Sequence, residues 1–341
     1  MKKFLSKILD STISKAKTLS SKSILGGLIR MLPVIVCALG IIVYLFVPNR
    51  VVPPTPFVVI EFGNTLVWVA GIVAALLLVL NIIAVFVPIV RQRLQKSAPF
   101  MVLILILFVI YDIMVLKIAI LPQPFFPWID SILAAIIRDA SLLITSMGYS
   151  LGILLAGYGI GGLLGIVAGV SAGLMPKTRY WVRPFVRFFS AVPIITWVPV
   201  IVFFPIGFFA RAMLLIALAV WVPVTIFTMN GVMAIPSKTF EAARTFGTKG
   251  MGMIYKVAIP AASPSIFNGL ASGMGVACTA LIVAEMMGVP AGIGWYIDMQ
   301  RGFLDYAAMY GAIIMLSLTF FAVGFVLSTV RKFVIRWKGA E

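Results

Sequence analysis

The sequence predicts an all-α integral membrane protein with eight transmembrane helices. Hydrophobic residues make up 62% of the 341 positions, charged residues only 11%, and the mean hydropathy is +1.15. Such a chain is too apolar for a soluble core. Eight apolar runs have about the length that a helix needs to cross roughly 30 Å of hydrocarbon. The runs cover residues 29–47, 66–89, 99–119, 144–173, 187–205, 211–233, 263–287 and 307–330.

The positions of the charges predict how these helices are oriented. If both termini are cytoplasmic, 22 of the 27 basic residues fall on cytoplasmic segments and 5 on the outer side. Cytoplasmic loops of membrane proteins carry such an excess of Lys and Arg. We therefore expect a multi-pass protein with both termini in the cytoplasm. The net charge of +17 then points to the lipid bilayer as a partner and not to nucleic acid.

The N-terminal segment and the cysteines bear on whether the chain has a cleaved signal peptide, a metal site or disulfides. Residues 1–27 are lysine-rich and predict either a basic interfacial helix or a disordered basic tail. The first apolar run lacks an A-x-A cleavage site, so we expect it to be retained as a membrane span. Cys37 and Cys278 lie inside apolar runs and the chain has no histidine. We expect no metal site and no disulfide framework.

A glycine stripe in the fourth run predicts close helix packing. Small residues at every fourth position let helix backbones approach each other in a membrane. The same stretch contains a formal G-x-G-x-x-G match, but no strand precedes it, so a nucleotide-binding loop is excluded. The stripe residues are Gly157, Gly161, Gly165, Gly169 and Gly173.

The fifth run is interrupted by prolines and is a candidate for the wall of a transport pathway. Pro193 and Pro199 break it, with Thr196 between them, and Asn230 in the sixth run gives a weaker polar signal. Breaks of this kind leave carbonyl groups unpaired, which is tolerated where protein or a water-filled cavity covers them. A kinked helix that only packs remains the alternative.

Two acidic residues lie within apolar runs. An intramembrane carboxylate is costly and usually faces the bundle interior or an aqueous path. Glu285 is therefore a pathway candidate, with pairing to Arg211 or Arg301 as the alternative to substrate contact. We expect Asp112 to be a buried partner of another polar group.

A long polar loop, residues 237–261, separates the sixth and seventh runs. Ser237 is predicted to cap a short helix that ends at Gly247 as its C′ residue. A second short helix over residues 251–257 should end at Pro260. We expect two short helices that lie along the membrane surface.

The loop contains Glu-Ala-Ala, a glycine after three more residues and, nine residues later, an aliphatic residue, any residue, a second aliphatic residue and proline. These positions are Glu241, Ala242, Ala243, Gly247, Val257, Ile259 and Pro260. This spacing resembles the EAA signature of permease subunits in binding-protein-dependent ABC importers. Val257 and Ile259 stand where that family usually has Ile and Leu. An incidental amphipathic loop is the alternative. In the family this loop docks on a cytoplasmic ATPase subunit, which implies a coupling role for Glu241, Ala242, Ala243, Arg244, Gly247 and Pro260.

The resemblance also implies an architecture and partners. The chain would have a six-helix type I ABC importer core over residues 98–341, preceded by two extra helices in residues 28–97 and the basic segment 1–27. The implied partners are two ATPase subunits, an extracytoplasmic substrate-binding protein and a second permease copy, in a bacterial plasma or inner membrane. The stretch around Glu285 resembles the nitrate, sulfonate, taurine and bicarbonate branch, which implies a small anion or a vitamin precursor as substrate.

No enzyme site is predicted. The chain has no G-x-x-x-x-G-K-[ST] sequence, no paired carboxylates at helical spacing and no nucleophile beside a base. We expect no catalytic residue and no cofactor, with ATP hydrolysed by a separate subunit. A self-sufficient secondary transporter or channel is the alternative function, although it should show an inverted repeat and more intramembrane charges. An assembly role for the first two spans alone also stays open.

Overall fold

The computed structural model describes residues 26–50, 65–286 and 290–335, and these residues form helices and no strands. The all-α prediction is thereby confirmed. The predicted basic segment 1–27 lies almost wholly outside the described residues. The chain divides into two compact units, Met1–Ile137 and Arg138–Glu341.

The first unit contains three apolar helices and most of a short fourth one. Each of the first three is long and apolar enough to cross a membrane, and the third ends in a π-helical turn over Ile113–Lys117. The sequence placed the start of the permease core at residue 98, and that boundary stays a prediction. The helices are α1 (Gly26–Phe46), α2 (Thr65–Phe86), α3 (Pro88–Asp112) and α4 (Ile129–Arg138).

Two buried charges tie the ends of these helices together. The Lys117 ammonium donates to the carbonyl of Tyr44 at 2.9 Å, close to the C-terminus of α1. Asp130 accepts a hydrogen bond from the Leu66 N–H at 2.7 Å, at the N-terminus of α2. Each charge has the sign that the helix dipole favours at that end. Asp112 is also buried and interacts electrostatically with Lys117.

The second unit contains the remaining helices. Four continuous segments in it could cross a membrane, namely α5, α8, the segment Met251–Met286 and α13, and a bent pair of helices could form one more crossing. The helices are α5 (Ala140–Leu174), α6 (Pro176–Ala191), α7 (Val198–Val202), α8 (Phe208–Met233), α9 (Ser237–Thr245), α10 (Met251–Met253), α11 (Ile259–Met286), α12 (Ile293–Gly302) and α13 (Tyr306–Val334).

The glycine stripe of α5 packs directly against α8. A Cβ added at Gly161 would lie 2.3 Å from the carbonyl oxygen of Ala217, so only glycine fits this contact. Gly157 faces Ile216 near one end of the stripe, and Gly173 faces Val232 at the other. Residue numbers rise together along both helices, so α5 and α8 run parallel. The segment between them must therefore return the chain to the opposite end of the unit.

Helix α11 completes a three-helix core and runs antiparallel to α8. Gly231 of α8 faces Ser265 near the start of α11, and Gly273 further along α11 faces Val220. Apolar residues from all three helices form one cluster that includes Leu154, Val220 and Leu281. This core gives the unit two distinct ends, one near α9 and one near α12.

The predicted break in the fifth span, residues 187–205, is present at Pro193. Helix α6 ends at Ala191, a 3₁₀ turn covers Ile194–Trp197, and α7 follows after a bend of 99°. Pro193 lacks the N–H that would continue the helix. The bent pair leads from the C-terminus of α5 back towards the start of α8, as the parallel packing requires.

Two details of the polar loop also differ from the sequence prediction. Pro260 does not end a helix, because α10, a π turn over Ile254–Ala258 and α11 form one segment, Met251–Met286. The π turn shifts the hydrogen-bond pattern just before the proline, and the helix tolerates one missing N–H. Ser237 is the first helical residue and not the cap. Pro236 occupies the cap position, with no capping side chain.

Candidate functional site

Helix α9 carries the EAA positions and ends at Gly247 in a left-handed turn. Gly247 has φ +80°, and its N–H donates to the Arg244 carbonyl at 2.9 Å. The Thr248 N–H donates to the Ala243 carbonyl at 3.0 Å. These two bonds form a Schellman motif, in which glycine is favoured because a side chain would be strained at positive φ. The motif fixes the direction in which the chain leaves α9.

The base of this loop is packed, whereas α9 itself is not. Ile235, Ile254 and Ile259 pack against a buried cluster formed by α5, α8 and α11. No residue of α9 is buried, and Phe246 at its end is 89% exposed. Within the described residues, the exposed carboxylate of Glu241 forms no ion pair. The loop thus presents an uncovered polar helix on a rigid base.

The predicted coupling residues fall on both parts of this loop. Glu241, Ala242 and Arg244 are exposed on α9, and Ala243 is half-buried. Pro260 is the second residue of α11 and is also exposed. Of these coupling residues, only Ala243 has a side chain that is partly covered by the described residues of the unit.

The break of the fifth span lies halfway along the three-helix core. The ring of Phe189 at the end of α6 is 6.1 Å from that of Trp221 and 4.9 Å from that of Trp197. Trp221 lies level with Gly165, in the middle of the stripe. Pro193 and Thr196 are exposed at this break, where the Thr196 hydroxyl donates to the Pro193 carbonyl. A discontinuous helix at mid-depth is typical of transport pathways.

The five pathway candidates do not form one cluster. Pro193 and Thr196 lie at the break, and Pro199 follows in α7, beside a shallow apolar depression that includes Phe203. Asn230 is exposed near the α9 end of the unit. Glu285 lies at the opposite end, beside α12.

Glu285 is enclosed and fully engaged within the chain. It is 1% exposed, and its carboxylate accepts from the Ser150 hydroxyl at 2.6 Å and from the Gly294 N–H at 2.7 Å. Ser150 in turn accepts from the Ile293 N–H at 2.8 Å. The expected pairing with Arg211 or Arg301 is wrong, because Arg301 binds Asp298 and Arg211 donates to a backbone carbonyl. The carboxylate instead sits at the positive end of the α12 dipole.

The glycines around Glu285 are required by its position. A Cβ at Gly292 would lie 2.3 Å from a Glu285 carboxylate oxygen, and Gly292 has φ +111°. A Cβ at Gly294 would lie 2.8 Å from the Glu285 Cβ. Larger residues at these two positions would displace the carboxylate from the α12 N-terminus.

A second polar network continues from α12. The Tyr296 hydroxyl donates to Asp139 at 2.6 Å, and Arg138 bridges Asp139 and Asp305, with 2.8 Å to the latter. Asp305 caps α13 by accepting from the Ala308 N–H at 3.0 Å. Hydrogen bonds from Arg138 hold the pKa of Asp139 below its ordinary value, and burial raises the pKa of Tyr296. Helices α5, α12 and α13 are thus joined at this end of the unit.

Sequence reasoning missed most of this network. Ser150 lies two turns before the glycine stripe of α5, and its distance from Glu285 in sequence hides their contact. The G-x-G pattern at Gly292 and Gly294 was the available signal, because two glycines after an intramembrane acid indicate close backbone approach.

Comparison with known proteins identifies the family. A family model described as "Binding-protein-dependent transport system inner membrane component" matches residues 161–338. SsuC of Bacillus subtilis (strain 168), which carries a provisional name as an aliphatic sulfonates transport permease protein, is 33% identical over 46% of this chain and 57% of its own length.

Two further relatives are also named as permease proteins of transport systems. The taurine transport system permease protein TauC of Escherichia coli (strain K12) is 26% identical over 52% of this chain and 64% of its own. The bicarbonate transport system permease protein CmpB of Synechocystis sp. is 31% identical over 43% of this chain and 53% of its own. The chain thus spans less than two thirds of each relative's length. Because the family model matches more than half of the chain, this protein belongs to the binding-protein-dependent transport system inner membrane components, the permeases of ABC transporters.

Proposed function

We propose that the chain is the permease subunit of an ABC importer that couples substrate translocation to ATP hydrolysis by a separate cytoplasmic subunit. The observation that carries the proposal is the geometry of α9. It is an exposed polar helix with the EAA residues, held on a packed base and ended by a Schellman motif at Gly247. A helix with no fully buried residue gains little from packing within its own chain. Docking on a partner would account for the EAA residues that α9 exposes.

The proposed translocation pathway passes the broken fifth span. Pro193 and Thr196 lie at the break, where the backbone is exposed at mid-depth. Pro199 and Asn230 would lie further along the same route, towards opposite ends. Glu285 would act at the outer end through α12, since its carboxylate is enclosed by the chain.

The substrate class is proposed from the relatives. SsuC, TauC and CmpB carry names that refer to sulfonates, taurine and bicarbonate. A small anion such as a sulfonate, nitrate or bicarbonate, or a vitamin precursor, is the corresponding substrate here. An extracytoplasmic binding protein would deliver it, and a second permease copy would complete the pathway. Both termini would lie in the cytoplasm of a bacterial cell, in keeping with the distribution of Lys and Arg.

The test uses Gly247→Val and Glu241→Lys. A β-branched residue at φ +80° is strained by about 1–2 kcal/mol, which redirects the end of α9. Glu241 is exposed and unpaired within the described residues, so its charge reversal should not affect folding. We expect both variants to insert normally and to lose the ATPase subunit on co-purification, or to lose uptake in vesicles while ATP is still hydrolysed.

Gly324→Val is the matched control. Gly324 lies in α13 with nothing within 4 Å of an added Cβ, so the same chemical change should leave coupling intact. Normal uptake by both α9 variants, with the ATPase still bound, would show that the loop is only a connector.

A further inference from the structure

Helix α6 carries four basic residues, and within the described part of the chain three of them, Lys177, Arg183 and Arg187, form no ion pair and no side-chain hydrogen bond. Arg179 donates to the Ala172 and Gly173 carbonyls at 2.8 and 2.6 Å, which satisfies the C-terminal end of α5. Arg183 and Arg187 are exposed, and no carboxylate of the described residues forms an ion pair with them. They lie four positions apart and therefore share one face of the helix.

The depth of these arginines follows from the packing of α6. Gly165 is level with Trp221, and it lies about 12 Å from Gly173 along α5 at 1.5 Å per residue. Phe189 contacts the Trp221 ring, so α6 runs from the level of the C-terminus of α5 to the middle of the core. Arg187 precedes Phe189 by two residues. Its Cα therefore lies roughly 10 Å inward from the end of α5.

An exposed arginine at this depth should not face lipid. A charged side chain in hydrocarbon is costly, and such residues face the bundle interior or a water-filled cavity. The aromatic residues Trp181, Phe185 and Phe188 are exposed on a different face of α6 and suit an apolar environment. The arginine face of α6 thus suits water, and its aromatic face suits an apolar environment.

The charges around this face have one sign. Apart from Glu241 on α9, the described carboxylates of this unit all lie near α12, at the opposite end. They are Asp139, Glu285, Asp298 and Asp305. Two cations on one wall, with no carboxylate of the described residues in ion-pair contact with them, create a positive potential that concentrates anions.

We propose that the α6 face carrying Arg183 and Arg187 lines a water-filled vestibule, open at the α9 end of the unit, that selects small anions. The proposal rests on the proposed function, because the vestibule would be the inner part of the translocation pathway. The two arginines would then contribute to substrate specificity. Basic residues that only orient the chain in the membrane would have no such role.

The test measures access and charge selectivity at Ser190, which is exposed on the same face, three positions beyond Arg187. Ser190→Cys would be made with both native cysteines, Cys37 and Cys278, replaced by alanine. Inside-out vesicles containing the complete transporter are treated with an anionic or a cationic methanethiosulfonate reagent. Each rate is divided by the rate of the same reagent with a small free thiol.

We expect the anionic reagent to react faster by about tenfold, and the preference to disappear in R183Q/R187Q. The matched control is R331Q/K332Q at the end of α13, which removes the same charge and should keep the preference. Leu163→Cys on the exposed side of α5 gives the rate for a lipid-facing position.

Two results would overturn the proposal. Reaction at position 190 as slow as at position 163 would show that this face meets lipid. A preference that survives in R183Q/R187Q would show that the arginines do not set the potential. The assay needs neither ATP nor a binding protein, so its outcome is independent of whether α9 couples to an ATPase.

Discussion

At the scale of single residues, the contact between Ser150 and Glu285 joins three helices. The hydroxyl donates to the carboxylate and accepts from the Ile293 N–H, and both side chains are buried. Removing one partner of a buried hydrogen bond destabilises the folded protein, because the other polar group is left buried and unsatisfied. The contact fixes the N-terminus of α12 to α5 and to the end of α11.

Ser150→Ala should destabilise the protein by about 1–3 kcal/mol, because it leaves one carboxylate oxygen and one N–H buried without a partner. Thermal unfolding of the purified protein in detergent measures the effect. Ser141→Ala is the control, since Ser141 is exposed on the same helix. Equal unfolding temperatures for the two variants would mean that water or another group replaces the hydroxyl.

The pair of Arg138 and Asp139 adds a dependence on pH. Hydrogen bonds from Arg138 lower the pKa of Asp139 from its ordinary value of 3.8. A carboxylate with a lowered folded-state pKa stabilises the protein above the unfolded value and loses this contribution as pH falls through the folded one.

Asp139→Asn should therefore lower the free energy of unfolding at pH 7 by about 1 kcal/mol, since the pair is partly exposed. The difference between wild type and variant should shrink as the pH falls below about 3.8. Unfolding curves recorded between pH 7 and pH 3 give this difference. A constant difference over that range would assign the effect to packing and not to charge.

The residues that could be predicted from the sequence are those with local signals. Gly247 follows a short helical pattern and adopts the expected left-handed conformation at its C′ position. The surroundings of Glu285 could not be predicted, because Ser150 is 135 positions away in the chain. A basic residue was the expected partner, whereas a helix N-terminus and a hydroxyl satisfy the charge.

At the scale of helices, the glycine stripe determines how α5 and α8 approach each other. Each stripe glycine faces α8, and an added Cβ would lie within 3 Å of an atom of α8 at all five positions. Such contacts replace the hydrophobic effect as a source of association in a membrane. The paired residues also show that the two helices are parallel, which requires a segment between them that returns the chain.

Gly165→Leu should disrupt this contact, because a Cβ at Gly165 would lie 2.8 Å from that of Val224. Overpacking of this kind typically costs about 1–3 kcal/mol. Leu163→Ala is the comparison, since Leu163 is 65% exposed. The yield of folded protein on size-exclusion chromatography measures both changes, and equal losses would contradict the packing role of the stripe.

The lengths of most helices could be predicted from hydropathy and the break at Pro193 from its prolines, whereas the continuity of the helix through Pro260 could not be predicted. Pro193 breaks its helix, but Pro260 and Pro223 lie inside continuous helices. The difference arises from the surroundings: a π turn precedes Pro260, whereas an exposed 3₁₀ turn follows Pro193. The effect of a membrane-embedded proline therefore depends on packing that a single sequence does not show.

At the scale of the whole molecule, the unit Arg138–Glu341 has two chemically distinct ends. The α12 end holds the buried acid Glu285, an ion-pair network and the cap of α13. The α9 end holds the exposed EAA helix and the basic residues of α6. This difference fits the proposed function, in which the two ends of the permease would meet different partners.

The most direct measurement of the central claim is site-specific photo-crosslinking from the tip of the α9 loop. A photoreactive amino acid replaces Phe246, which is 89% exposed, and the matched control replaces Phe303, which is 74% exposed beyond the end of α12. We predict that position 246 crosslinks to a nucleotide-binding subunit in cells, identified by mass spectrometry, and that position 303 does not. A crosslink to that subunit from position 303 alone would contradict the account.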